Sequence, residues 1–170
     1  MSAIVEKITN GLFITTSNEV VTPEPITIAE VKDYMGITFI AHDTKLTRLV
    51  TACREQLEKL KLITLITSRN VAVTYNEMYD WEDLPYSKVG TITAVNLDDV
   101  AVTIDKVDLG GFVRVKGEYA NGLKLTYASL PITISQTIKE GLIRAVKECF
   151  EQGTTPIMAV IKEFGNVSFK

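Results

Sequence analysis

This chain has 170 residues and a formal net charge of −3, with 18 basic and 21 acidic side chains. Its length suits one domain, or one core with extensions. The acidic balance argues against a protein that wraps nucleic acid, because neutralising phosphates needs a concentrated basic surface. No apolar run reaches the roughly 18 residues that cross a bilayer. The first residues lack a signal peptide's basic start and apolar stretch, so we expect synthesis in the cytoplasm and no membrane partner.

The first 24 residues contain two short apolar stretches, at 11–16 and 19–22. Both stretches favour β structure, and both are too short to fold alone. We therefore expect residues 1–24 to form an N-terminal arm that docks on the core or on a neighbouring chain. Phe13, in the first stretch, is a candidate contact residue for such docking.

A short helix is predicted at 27–36. Thr27 is a favourable N-cap, and Glu30 stands three residues later, the spacing at which hydroxyl and carboxylate satisfy each other's backbone amides. Gly36 supplies a residue that tolerates the left-handed conformation at a helix end.

A long amphipathic helix is predicted at 43–62, because apolar residues recur there at spacings of three and four. The stripe consists of Leu46, Leu49, Val50, Cys53, Leu57 and Leu60. Arg54 and Glu58 fall outside it. His42, just before the helix, lacks partners for a catalytic triad or a histidine zinc site, so we expect it to be exposed or to cap the helix.

From residue 69 to 127 the hydrophobic period is two, which is typical of strands. Strands are expected near 68–75, 90–96, 100–104, 111–115 and 123–127. The pair Asn121-Gly122 is a common tight hairpin turn, because both residues tolerate positive φ. The segment is therefore expected to form a small antiparallel meander.

The loop at 76–85 combines acidic and aromatic residues. Its carboxylates could bind a divalent cation through oxygen ligands, but the loop lacks the regular alternation and the glycine of a calcium loop. Aromatic side chains with a polar rim are enriched at interfaces, which favours contact with another chain. The candidate interface residues here are Tyr79, Trp81, Glu82 and Asp83.

A last helix is predicted at 135–152 and ends at Gly153. Residues 153–170 are too few for their own core and are expected to form a C-terminal arm, with Ile157, Met158 and Phe164 as candidate interface residues. The two cysteines, Cys53 and Cys149, lie inside helical apolar patterns, so we expect buried free thiols. A disulfide is disfavoured in a cytosolic product.

The predicted fold is α+β. It is a small bundle of three main helices with an inserted antiparallel β module, giving a core at 25–152 between the two arms. The glycines form no phosphate-binding loop, and no serine lies in a nucleophile-elbow context. We therefore expect no catalytic residues, no metal and no cofactor.

The order of these parts resembles the head–tail connector (adaptor, or head-completion) proteins of tailed bacteriophages. The resemblance covers roughly residues 21–152. It includes the entry P-E-P-I-T-I-A-E-V-K, the helix L-T-R-L-V-T-A-C-R-E-Q-L-E-K-L and the strand entry L-P-Y-S-K-V. In the helix, Arg54 and Glu58 match the family's arginine and glutamate. The linker at 38–43 departs from the family, which often has acidic residues there, and the chain's ending lacks the usual aromatic residues.

The resemblance implies a virion protein without catalytic activity. Such proteins form a ring, usually of twelve subunits, beneath the portal protein, where they extend the DNA channel and provide a platform for tail or stopper proteins. DNA would pass through without sequence-specific binding. An alternative reading is a small adaptor domain that binds peptides or proteins through its β module, although no motif supports it directly.

Overall fold

The computed structural model describes the backbone of residues 4–8 and 12–21, and then residues 23–78, 80–86, 88–110, 112–117 and 122–166. Two compact units are present. One is a β unit, formed by described residues of the segments 1–21 and 67–132. The other is a helical unit, formed by those of 22–66 and 133–169. In chain order, the 67–132 segment is therefore inserted between two halves of the helical unit.

Within the described residues, the helical unit contains four helices. They are α1 (Ile28–Met35), α2 (Asp43–Lys61), α3 (Gln136–Gln152) and α4 (Pro156–Phe164). The first three confirm the predicted helices within a residue or two. The expected capping box is present: the Glu30 amide donates to the Thr27 hydroxyl at 3.1 Å, and the Thr27 amide donates to the Glu30 carboxylate at 2.6 Å. Gly36 ends α1 in the left-handed region, with φ 68°.

The helix α4 was not predicted. Residues 153–170 were expected to be an extended arm, but Pro156 at the first turn begins a helix that packs on α2 and α3. Three of its residues, Ala159, Val160 and Phe164, are almost fully buried. The tail thus finds its apolar partners within its own chain.

The described part of the β unit contains eight strands in two antiparallel sheets. They are β1 (Ile4–Ile8), β2 (Leu12–Val21), β3 (Thr67–Tyr75), β4 (Glu82–Asp83), β5 (Val89–Asn96), β6 (Asp105–Asp108), β7 (Val113–Lys116) and β8 (Leu123–Ser129). The larger sheet has the order β1-β2-β3-β8-β5, and the smaller has the order β4-β7-β6. The expected antiparallel pairing is confirmed, but the meander is wrong, since β8 lies between β3 and β5.

The hydrophobic pattern of β8 is consistent with its central position in the larger sheet. Alternate residues of β3 and β8 are buried, and the register places Val73 opposite Leu125 and Val71 opposite Tyr127. One face of the central strand pair therefore forms the core, as period-two alternation requires. β5 lies at the edge of the sheet, and its residues are buried less regularly.

The N-terminal segment joins the larger sheet. The β1–β2 hairpin adds to β3, with Phe13 opposite Thr74 and a register shift between Asn18 and Val20. The 1–24 arm was expected to dock on the core or on a neighbouring chain. In the structure, its strands β1 and β2 pair with the chain's own sheet.

The strand expected at 100–104 is wrong. The Asn96 side-chain oxygen accepts from the amides of Asp98 and Val100, which closes a tight turn. The chain then pairs with β5 through the isolated bridge between Val95 and Ala101. The real strand, β6, starts at Asp105 and pairs with β7 instead.

Candidate assembly site

The acidic, aromatic loop is tied to the smaller sheet. Its residues Glu82 and Asp83 form β4, opposite Val115 and Arg114 of β7. The Arg114 guanidinium lies 2.9 Å from the Asp83 carboxylate and also donates to the Trp81 carbonyl at 3.3 Å. Glu82 and Asp83 are exposed, whereas Trp81 is half-buried. Tyr79, the fourth candidate in this loop, lies outside the described residues.

Three buried tyrosines lie in the same unit as this loop. The Tyr127 hydroxyl donates to the Pro85 carbonyl, and the next residue, Tyr86, has a positive φ of 63°. The Tyr75 hydroxyl is buried without a hydrogen-bond partner among the described residues. Burial, together with the charges of Glu82 and Asp83, raises the pKa of Tyr75 well above its ordinary value. Burial likewise raises the pKa of Tyr127, so the phenols of Tyr75 and Tyr127 stay neutral and serve as parts of the core.

The outward face of α4 is apolar. Ile157, Met158 and Ile161 are 50, 58 and 41% exposed, although the opposite face of the same helix is already packed inside the unit. A helix that is hydrophobic on both faces is normally covered on both. Among the candidate interface residues at this end of the chain, Ile157 and Met158 are therefore accessible.

Phe164 does not share that accessibility. It is 2% exposed, and its ring fills a notch on α3 at Gly141, which has no side chain. A Cβ atom built on Gly141 would lie 2.4 Å from the Phe164 ring, far inside van der Waals contact. The expectation of Phe164 as a surface contact residue does not fit this structure, because its ring is used to hold α4 on α3.

Two ion pairs border α4. Glu163 accepts from the Arg144 guanidinium at 2.7 Å, and Lys162 donates to the Glu148 carboxylate at 2.5 Å. The Lys61 ammonium on α2 donates to the Gly165 carbonyl just beyond the helix. Exposed ion pairs contribute little each, so the buried side chains hold the helix, and the polar contacts fix its orientation.

A buried polar network in α2 was missed by the sequence reasoning. Arg54 and Glu58 were placed outside the apolar stripe, yet they are 7 and 0% exposed. Arg54 donates to Glu58 at 2.9 Å and to Glu24 at 3.0 Å. The second Glu58 oxygen accepts from the Leu65 amide at 2.7 Å. The signals in the sequence were the i, i+4 spacing of the arginine and the glutamate and their match to the helix pattern of the resembling family.

This network connects three chain segments. Glu24 precedes α1, Arg54 and Glu58 lie on α2, and the amides of Leu65 and Ile66 follow α2. Burial by itself acts to lower the pKa of the Arg54 guanidinium, but the hydrogen bond to Glu24 and the charge of Glu58 outweigh it and raise the pKa. The guanidinium is therefore permanently charged. It binds Glu24, in the segment before α1, and Glu58, which in turn accepts from the Leu65 amide after α2.

His42 is the N-cap residue of α2, but its side chain makes no capping hydrogen bond. Its ring instead packs edge-on against Phe39 and Phe150, at centroid distances of 5.3 and 5.1 Å. Among the described residues, no group of three or more His, Cys, Asp or Glu side chains is placed to hold a metal ion. The helices of the described part include none with the length and apolar character that crossing a membrane requires.

The expected free, buried thiols are confirmed. Cys53 on α2 and Cys149 on α3 are both unoxidised and buried, and their sulfur atoms lie 3.9 Å apart. Burial raises the pKa of each thiol above its ordinary value.

The fold is shared with chains of a phage-like particle. A chain from the virion of a native gene transfer agent (GTA) particle matches with a TM-score of 0.59 and 17% identity, over 88% of this chain and 94% of that one. A chain from the neck of an empty GTA particle, computed with C6 symmetry, matches with a TM-score of 0.57 and 18% identity, over 86% and 93%. No protein-family model and no curated protein matches the chain. At this identity the likeness establishes a common fold.

Proposed function

We propose that this chain is a structural neck protein of a phage-like particle, a head–tail connector without catalytic activity. One observation carries the proposal. The fold matches a chain from the neck of a GTA particle over 86% of one chain and 93% of the other, so the likeness includes both the helices and the inserted sheets. The order of sequence motifs pointed to the same class of protein independently of the fold.

The proposed assembly is a ring of identical subunits in the neck of the virion. The neck structure that contains the similar chain was computed with six-fold symmetry, which is compatible with six or twelve copies. We expect the dodecamer that is usual for the resembling family. A ring requires two different surfaces on each subunit that meet head to tail.

The outward face of α4 is the best candidate for one of these surfaces. Ile157, Met158 and Ile161 expose apolar area that the subunit leaves uncovered, and burying it would contribute to assembly. Phe13, Tyr79, Trp81, Glu82 and Asp83 remain candidate contact residues on the β unit, where Asp83 is already paired with Arg114.

The proposed partners are the portal protein above the ring and tail or stopper proteins below it, with DNA passing through the channel. A chain with a net charge of −3 gives no concentrated basic surface to hold DNA. The channel would then allow the DNA to slide. This expectation fails if the residues that line an assembled ring are mainly lysine and arginine.

Negative-stain electron microscopy of the full chain, alone and mixed with the portal protein of the same particle, tests the proposal. Closed rings, or an additional layer of density on one end of the portal, are the expected results. A chain that remains monomeric in both samples would contradict the connector function. That result would favour the alternative, an adaptor domain that binds peptides or proteins.

A further inference from the structure

The contact between α2 and α3 places the chain's two cysteines against each other. Cys53 and Cys149 are 0 and 4% exposed, and their sulfur atoms are 3.9 Å apart. They are separated by 96 positions along the chain, and the whole inserted 67–132 segment lies between them. Two thiols from distant segments are thus in direct contact inside the helical core.

We propose that Cys53 and Cys149 form a reversible disulfide that joins α2 to α3 when the chain meets a two-electron oxidant. Two S–H bonds break and one S–S bond forms. The two protons and one electron pair pass to the oxidant, which is molecular oxygen reduced to hydrogen peroxide, or a diazene reduced to a hydrazine. Under reducing conditions the pair remains as two thiols, which is its state in this structure.

The geometry favours this reaction over the competing thiol chemistries. A disulfide bond is about 2.05 Å long, so the sulfur atoms must approach by about 1.9 Å from their present separation. Each thiol lies against the other inside the core, which shields both from glutathione or a second chain while α2 and α3 are packed together. Intrachain pairing is therefore expected, without mixed disulfides or cross-linked dimers.

The same burial makes the reaction slow. The thiolate is the reactive form, and burial raises the pKa of Cys53 and Cys149, which keeps both thiols protonated. Oxidation then requires a transient separation of α2 and α3 that admits solvent. Once formed, the bond closes a long loop, because it joins residues 96 positions apart with the whole inserted segment between them. It constrains the unfolded chain strongly.

The test compares reduced and oxidised full-length protein. After treatment with diamide, the denatured chain should add no alkyl group from N-ethylmaleimide, whereas the reduced chain should add one at each cysteine. The oxidised chain should run faster on a non-reducing gel as a monomer. Its melting temperature should rise by about 5 °C or more, and dithiothreitol should reverse all three changes.

Cys53→Ala and Cys149→Ala receive the same treatment as controls, and diamide should leave the melting temperature of each unchanged. Both cysteines still alkylated after diamide would overturn the proposal, as would dimers linked between chains. A disulfide that forms but leaves the melting temperature of the wild-type chain unchanged would contradict the proposal that it stabilises the contact between α2 and α3. The wild-type measurements decide the question even if an alanine variant fails to fold. They do not depend on the proposed neck function, so either idea can fail alone.

Discussion

Arg54 and Glu58 form a hydrogen-bonded ion pair one helical turn apart on α2, with 2.9 Å between Nη1 and Oε2, and both residues are buried. A buried pair of this kind has a large desolvation cost, and it is weak evidence for stability unless further hydrogen bonds satisfy the remaining atoms. Here they do. Glu24 accepts from the guanidinium on one side, and the Leu65 amide donates to the glutamate on the other.

Replacing Glu58 with alanine should therefore be strongly destabilising. The change leaves the Arg54 charge without its buried partner and the Leu65 amide without its acceptor, so we expect a loss of about 3–5 kcal/mol in the free energy of unfolding. Urea denaturation followed by circular dichroism measures it. Glu55→Ala is the matched control, because Glu55 also contacts Arg54 but its side chain is 59% exposed. Equal losses for the two variants would contradict the network's role.

Aspartate at position 53 should unfold the helical unit. Cys53 is fully buried against Cys149, and a carboxylate there would lose its hydration beside an uncharged thiol. Cys53→Asp should therefore be unfolded at 25 °C by near-ultraviolet circular dichroism. Leu60→Asp is its control, since Leu60 lies on the same helix but is 40% exposed, and this variant should remain folded. A folded Cys53→Asp protein would show that the core at this point tolerates charge.

The sequence predicted the helices and strands better than it predicted the long-range contacts between them. The period-three-to-four stripe located α2, and the Thr27–Glu30 spacing located the start of α1, because both signals act within a few residues. The burial of Arg54 and Glu58 could not be predicted from such local signals. Their burial depends on Glu24 and Leu65, which reach them only after the chain has folded back on itself.

The same limit applies to the candidate site. Ile157, Met158 and Phe164 are all apolar residues in one short tail, and composition alone treats them alike. Their positions on α4 separate them. Phe164 lies on the buried face, where Gly141 leaves room for its ring, and Ile157 and Met158 lie on the exposed face. In the β unit, pattern located β3 and β8, but the choice of β8 as the neighbour of β3 is a long-range pairing that no local signal contains.

The α1 capping box should make stability depend on pH in the acid range. The backbone amide and the hydroxyl of Thr27 lower the pKa of Glu30, and burial opposes them weakly. A carboxyl whose pKa is lower in the folded state stabilises the protein above its unfolded pKa of about 4.3. That stabilisation is lost as the pH falls through the folded pKa.

Glu30→Gln removes this titration. The wild-type chain should therefore melt at a higher temperature than Glu30→Gln at pH 7, and the gap should narrow below about pH 4. Differential scanning calorimetry across this range measures the gap. Glu151→Gln, an exposed substitution at the other end of the helical unit, controls for the loss of one negative charge. A gap that is constant with pH would contradict the capping role of the carboxylate.

Charge on the outward face of α4 should prevent assembly without unfolding the subunit. Met158 is 58% exposed, so Met158→Asp should change the melting temperature of the monomer by less than about 2 °C. The same variant should abolish the rings proposed above, because an unpaired carboxylate would be buried at the contact. Sedimentation velocity measures the amounts of monomer and of ring. Asn166→Asp adds the same charge to an exposed position beyond the helix and should still assemble. Rings of normal abundance from Met158→Asp would exclude this face as a subunit contact.

Replacing Gly141 with alanine should destabilise the protein, although the same change usually stabilises a helix. In an exposed helix interior, glycine to alanine stabilises by roughly 1 kcal/mol. At Gly141, however, the added Cβ would lie 2.4 Å from the Phe164 ring, so Gly141→Ala must displace Phe164 and loosen α4. We expect a net loss of about 1–3 kcal/mol, measured by urea denaturation.

A double-mutant cycle separates this clash from a general effect on α3. Phe164→Leu shortens the side chain in the notch, and in that background Gly141→Ala should cost less than it does in the wild-type chain, with a coupling of about 0.5–3 kcal/mol. Hydrogen exchange of the α4 amides gives a second measurement, since Gly141→Ala should speed exchange in Pro156–Phe164 more than in α2. Additive losses with unchanged α4 exchange would mean that the ring does not depend on the glycine. In that case Ala159 and Val160 would be the buried side chains that hold α4 in place.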